Sequence, residues 1–309
     1  MASPTKKTKK KSAKRAPSKR TSPARTNPAK ASAASGNPAK VRPATARDWI
    51  AGARLRTLSL AVAPVALGTA IAYNTLGYNL AIALLCLAVA VFLQVGVNFA
   101  NDYSDGVRGT DRYRVGLSRL TGSGAAKPRT VLTVALVFFG LGAAAGLAVV
   151  VLTGIWWLLA VGAVALVAAW FYTGGKRPYG YAGLGEFVAF VFFGIVATAG
   201  TTFVQIEQVP FEAWLAGIVA GLFAAAILLV NNIRDREQDA LVAKRTLAVR
   251  LGDLPARILF SVYGTLLISA PVILIVLLAR TAGELVLALK LTSLAALLTG
   301  LGLAAAIAF

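Results

Sequence analysis

The sequence contains no histidine, a single cysteine and only twelve acidic residues among 309. Without histidine there is no Ser-His-Asp triad, no imidazole metal site and no His-ligated haem. The one cysteine, Cys86, lies inside an apolar run, which excludes a disulfide framework, Cys-ligated zinc and iron–sulfur clusters. Any metal chemistry is therefore left to oxygen ligands, which points to magnesium, calcium or manganese. Charge itself is scarce, at 14% of residues, against about a quarter in soluble globular domains. What replaces it is 57% hydrophobic residues and a mean hydropathy of +0.71. Apolar runs of about 18 residues or more recur, long enough to cross a bilayer core of about 30 Å as helices. The chain reads as an all-α polytopic membrane protein.

The net charge of +20 is unevenly placed. Met1 to Arg42 holds thirteen Lys or Arg and no acid, in a Lys/Ser/Ala/Pro/Thr background. Such a segment buries too little apolar surface to offset chain entropy, so residues 1–46 are expected to form a disordered cytoplasmic tail. It lacks the apolar core of a signal peptide and is not expected to be cleaved. Its expected partner is the anionic head-group surface of the bilayer. Nucleic acid is not expected, because no aromatics are interleaved to stack on bases.

From residue 47 to 309 the pattern gives eight spans: Leu58–Tyr73, Leu80–Ala100, Val131–Leu152, Trp156–Tyr172, Leu184–Val204, Phe211–Val230, Ile258–Ala279 and Leu285–Phe309. The loops "NTLGYN", "TGI" and "QIEQVP" carry no Lys or Arg, whereas the alternate loops are basic. By the positive-inside rule the basic loops and the N-terminus face the cytoplasm of a cell membrane.

Two stretches concentrate the acids. "NFANDYSDGVRGTD" begins at Asn98, at the end of the second span, and "NNIRDREQD" begins at Asn231, at the end of the sixth. Together they hold six of the twelve carboxylates. With 3.6 residues per turn, Asn98, Asn101, Asp102 and Asp105 share one helix face, and Asn231, Asp235 and Asp239 share another. Stacked like charges are unfavourable unless a cation holds them together, and acids at the membrane are costly and usually functional. Magnesium fits, since it takes one or two carboxylates and fills its other positions with water and phosphate oxygens. Arg56, Arg119, Lys176, Lys244 and Arg245 lie on the same side and suit the remaining phosphate charge. Glu186, just inside the fifth span, is ambiguous in role, with Lys176 and Arg177 as candidate partners. Four spans separate the two motifs, which suggests a parallel repeat of four helices with the site between its halves.

These motifs resemble the two Asp-rich motifs of the UbiA-type intramembrane prenyltransferases. "RLRTLSLAVAPVALGTAIAY", "GLSRLTGSG", "YTGGKRPYGYAGLGE" and "KRTLAVRLG" are similar to the branch that acts on 1,4-dihydroxy-2-naphthoate in menaquinone biosynthesis. The resemblance runs from about Arg47 to the C-terminus and implies a UbiA-like helical bundle. The family has nine transmembrane helices where eight are read here, so eight or nine are expected, with any shortfall between Ser269 and Leu289. It implies transfer of a polyprenyl group from polyprenyl diphosphate to 1,4-dihydroxy-2-naphthoate, with loss of carbon dioxide, giving demethylmenaquinone and diphosphate. Magnesium is the implied cofactor, held by Asn101, Asp102, Asp105, Asn231, Asp235 and Asp239, with Asp111 added from its family position. Asp102, Asp105, Asp235 and Asp239 are the implied catalytic groups. Arg56, Asn98, Arg119, Tyr172, Lys176, Lys244 and Arg245 are candidates for substrate contact. Two alternatives stand beside this reading: another aromatic acceptor such as 4-hydroxybenzoate, and a cation transporter using paired carboxylates at a repeat interface.

Overall fold

The protein is described by a computed structural model covering residues 1–2, 42–113, 119–265, 276 and 281–308. The expected basic tail lies outside the described residues except at its two ends. So does the first half of Ser269–Leu289, apart from Val276. Among the described residues the chain is helical and contains no strand.

A short helix α1 (Ala46–Ala53) starts at a capping box, in which Asp48 accepts from the backbone N–H and the hydroxyl of Thr45. It leads through a one-turn 3-10 helix (Leu55–Thr57) into α2 (Ser59–Thr75), bent by 45° from the first segment. Next come α3 (Leu80–Arg108), α4 (Pro128–Thr153), α5 (Leu158–Phe171), α6 (Gly185–Ile206) and α7 (Phe211–Leu241). Helices α8 (Leu247–Leu251), α9 (Asp253–Thr265) and α10 (Ala282–Ala308) complete the described chain. The punctuation follows from local chemistry. Asn79 caps α3 by accepting from the Ile82 N–H, Gly109 closes it at φ 73°, and Pro128 opens α4 where no N–H is needed.

All eight apolar segments read from the sequence coincide with helices, the seventh only in its described part. Among the described residues five of these helices are long and apolar enough to cross a membrane, and the bent α1–α2 pair makes a sixth. Helix α5, at 14 residues, is shorter and buries none of its side chains. Leu159, Val164 and Val167 on α5, with Leu136, Val137 and Leu147 on α4, leave a broad apolar face exposed. Trp156 and Trp157 precede α5, and Tyr73 in the last turn of α2 packs edge to face at 5.4 Å on Tyr78 in the following loop, as aromatic residues do at a membrane interface.

The core lies around α7. Phe223, Ile227, Leu229, Val230 and Ile233 are buried there with Phe260 of α9 and Leu285 and Leu289 of α10. Helix α6 approaches α7 through small residues: a Cβ on Gly194 would lie 2.4 Å from Gly221 Cα. Gly194 sits in a π-helical turn (Val191–Val196) in the middle of α6. Length then positions the site. Helices α3 and α7 have 29 and 31 residues, where about 20 span the bilayer core. Each therefore carries a surplus turn or more past the core, and in both cases the acidic motif occupies the C-terminal end.

Candidate active site

The shared face predicted for Asn98, Asn101, Asp102 and Asp105 forms, but its members turn to four different partners. Asn98 is buried and donates to the Ala53 carbonyl at 3.0 Å, joining α3 to the end of α1. Asn101 accepts from the Thr173 hydroxyl at 2.7 Å, joining it to the segment after α5. Asp102 uses both carboxylate oxygens on backbone donors, the Leu120 N–H (2.9 Å) and the Thr121 N–H (2.8 Å). It thereby holds the 119–124 loop against α3. That approach needs glycine, since a Cβ on Gly106 would lie 2.4 Å from Thr121 Cγ2, and one on Gly122 2.7 Å from Asp111 Cβ.

Asp105 is the centre of the first motif. It is 1% exposed, accepts from the Tyr181 hydroxyl at 2.7 Å, and lies 3.3 Å from Arg119 Nη2. Arg119 Nε lies 3.7 Å from Asp111 Oδ1, so one guanidinium bridges Asp105 and Asp111. Arg119 Nη1 is buried with no hydrogen-bond partner among the described residues. A donor in that state, beside carboxylates, is a ready phosphate ligand.

The second motif meets the first at Lys244. Its Nζ lies 3.4 Å from Asp239 Oδ1 and 4.0 Å from Asp105 Oδ2. Local backbone sets this up: Ala243 adopts φ 57°, and the chain turns so that the Lys244 N–H donates to the Asp239 carbonyl at 2.9 Å. Asp235 sits one turn before Asp239 and is held in a fork by its neighbour Arg234, with both contacts at 2.6 Å. Asn231 donates to the Ile227 carbonyl of its own helix at 2.8 Å.

The remaining sequence candidates divide. Tyr172 is half-buried, its ring 5.6 Å from that of Tyr179. Arg56 is half-buried in the 3-10 turn before α2, and Lys176 and Arg245 are exposed. Glu186 differs from expectation. It is buried, and its partner is Asn232 Nδ2 at 2.8 Å, not Lys176 or Arg177, whose side chains point to solvent.

Sequence reasoning missed Tyr181 and assigned Arg108 to membrane topology alone. The Tyr181 ring lies between two cations, Arg108 and Lys244, each 5.3 Å from its centroid. Its hydroxyl is also 3.4 Å from Thr110 Oγ1. Burial, with Asp105 beside it, pushes the Tyr181 phenol above its ordinary range, so it remains a donor. Arg108 donates to the carbonyls of Thr173 and Gly175, closing the loop that presents Tyr181. The only signal in the sequence was tyrosine density in "RPYGYAGLGE".

The donor set suits a hard divalent cation. No three carboxylates among the described residues converge tightly enough to form a complete cage. Magnesium does not need one, because water and phosphate oxygens fill most of its shell. Asp105, Asp111 and Asp239, tied together by Arg119 and Lys244, supply oxygen ligands and cationic phosphate donors in one place.

The profile of the UbiA prenyltransferase family matches residues 61–308. A 1,4-dihydroxy-2-naphthoate octaprenyltransferase of Mycobacterium tuberculosis is 45% identical over 285 residues, spanning 84% of this chain and 97% of that protein. The protein of the same name from Escherichia coli is 37% identical over 215 residues, 68% of this chain and 70% of that one. A UbiA homologue from Archaeoglobus fulgidus, solved bound to GPP and Mg2+, shares the fold with a TM-score of 0.56 at 17% identity. The match covers 84% of this chain and 95% of that chain.

Proposed function

This chain belongs to the UbiA prenyltransferase family, and we propose from that premise that it transfers a polyprenyl group to 1,4-dihydroxy-2-naphthoate in a cell membrane. The observation that carries the reading is the junction at Lys244. One ammonium lies against a carboxylate of each acidic motif, so the two motifs make one site. The Mycobacterium tuberculosis and Escherichia coli relatives are both named for this acceptor.

Asp105, Asp111, Asp235 and Asp239 would hold magnesium and, with it, the donor diphosphate, whose remaining charge Arg119 and Lys244 would meet. When bound there, magnesium would supply Lewis-acid charge that makes diphosphate a better leaving group. Arg119 Nη1 meets charge that grows on the departing oxygens, which is where a preorganised donor acts most strongly. Asp102 and Asn101 act indirectly, by holding the 119–124 loop and Thr173 in place. Tyr181 orients Asp105. The allylic carbon freed from diphosphate is attacked by the ring carbon that bears the carboxylate, and carbon dioxide leaves. The product is the prenylated naphthalenediol, the reduced form of demethylmenaquinone. The apolar helices keep water from the cation. With the basic loops on the cytoplasmic side, the site opens to that face.

The test is prenyl transfer by purified protein in detergent, with polyprenyl diphosphate, the naphthoate and magnesium. The expected product has the mass of the prenylated diol, and EDTA abolishes it. Magnesium-dependent consumption of the donor without that product keeps the diphosphate site and discards the acceptor.

A further inference from the structure

One buried carboxylate has no place in the diphosphate site. Glu186 is the second residue of α6 and is 3% exposed. Its Oε1 accepts from Asn232 Nδ2 at 2.8 Å, while Oε2 is buried with no hydrogen-bond partner among the described residues. Leaving a carboxylate oxygen dry and unpaired costs more than the single hydrogen bond to Asn232 returns. Such a group is expected where a ligand supplies the missing donor.

Its position says which ligand. Asn232, the second residue of the second acidic motif, lies three residues before Asp235 on α7, so Glu186 meets that motif about one helical turn from its first aspartate, on the membrane side. The Tyr172 side chain packs against the start of α6. A Cβ on Gly185 would lie 3.1 Å from its ring and 3.7 Å from its hydroxyl. The π-helical turn Val191–Val196 follows little more than one turn later in α6. No Lys or Arg hydrogen-bonds Glu186 or forms an ion pair with it among the described residues, so a diphosphate is a poor partner for it. A neutral hydroxyl donor is a good one.

We propose that Glu186 binds the aromatic acceptor, its Oε2 accepting the ring hydroxyl adjacent to the carbon that is prenylated. This rests on the reading of the site as a prenyltransferase with a dihydroxy aromatic acceptor. As the carbon–carbon bond forms, an oxygen lone pair of that hydroxyl moves into the ring, and its proton passes to Glu186. The C–O bond becomes a carbonyl. When the bond to the carboxylate breaks and carbon dioxide leaves, the released electron pair restores the ring. The carbonyl oxygen then takes the proton back from Glu186. The exchange is balanced and consumes no oxidant. Asn232 holds the carboxylate in position, and Glu186 is a catalytic residue in the sense that it touches the reacting molecule.

The experiment compares Glu186→Gln with wild type, full length and in detergent. Glutamine retains the oxygen that accepts from Asn232, so folding and the Asn232 contact are preserved, while the anionic acceptor is removed. The expected result is a fall in kcat/KM for the naphthoate of about 10²–10⁴, the usual range for a positioned acid–base group. KM for the polyprenyl diphosphate should stay within twofold, and magnesium-dependent binding of that donor should be unchanged. Glu186→Asp should recover part of the loss. Turnover by the glutamine variant within threefold of an active wild type overturns the assignment, as does an equal loss of donor binding, which marks a structural role. An inactive wild type overturns the functional reading first, and this assignment with it.

Discussion

Replacing Lys244 by methionine keeps the aliphatic stem and deletes the charge that joins the two motifs. The ammonium lies 3.4 Å from Asp239 and 4.0 Å from Asp105. At an effective dielectric constant of about 20, those separations correspond to gross attractions of roughly 5 and 4 kcal/mol. Dehydration of the ammonium cancels part of that, so breaking such a pair from one side costs about 3–5 kcal/mol net. Asp239→Asn should cost less, because Lys244 still faces Asp105. In the double variant the asparagine has no ammonium to lose, so the two single effects should exceed the double by about 1–3 kcal/mol. The assay is a double-mutant cycle on reversible unfolding in detergent, without magnesium or donor. Turnover of Lys244→Met should also fall by about 10²–10³, the effect of removing one preorganised donor from a developing anion. Additive unfolding effects, within about 0.5 kcal/mol, would refute the idea that one cation couples the motifs.

Asp105→Asn should abolish prenyl transfer while leaving the protein folded and inserted; wild-type turnover at limiting magnesium would remove Asp105 from the site. Tyr181→Phe keeps the ring between Arg108 and Lys244 but loses a hydrogen bond to a carboxylate, about 1.5–3 kcal/mol. The expected readout is a tenfold or larger rise in KM for the donor. Gly106→Ala drives a methyl to within 2.4 Å of Thr121 Cγ2, and should lower the unfolding temperature at an overpacking cost of about 1–3 kcal/mol. Ala243→Gly relieves a left-handed backbone at φ 57° and should stabilise the protein by about 1 kcal/mol, with turnover retained.

Much of the architecture was legible because it depends on short-range pattern. Apolar runs located the helices, and helical spacing put Asp235 and Asp239 on one face of α7. The acids fall at helix ends because α3 and α7 outrun the bilayer core, and that surplus can be counted from the sequence. What spacing does not contain is the neighbour that each residue of a face meets. Asn98, Asn101, Asp102 and Asp105 share a face, yet they contact α1, the segment after α5, the 119–124 loop and Tyr181. Those partners lie 14 to 76 residues away in the chain, and only packing brings them together.

Glu186 shows the same limit from the other direction. Proximity in sequence favoured Lys176 and Arg177 as its partners, since all three flank one membrane entry. A lysine or arginine in the loop can reach water at little cost, whereas an amide on a facing helix cannot leave the interior. Asn232 therefore holds Glu186, and the cations stay outside. An amide donates one hydrogen bond and no more in this position, so the carboxyl group keeps one oxygen without a partner among the described residues. A lysine partner would have satisfied Glu186 and left it inert; asparagine leaves it able to take a proton.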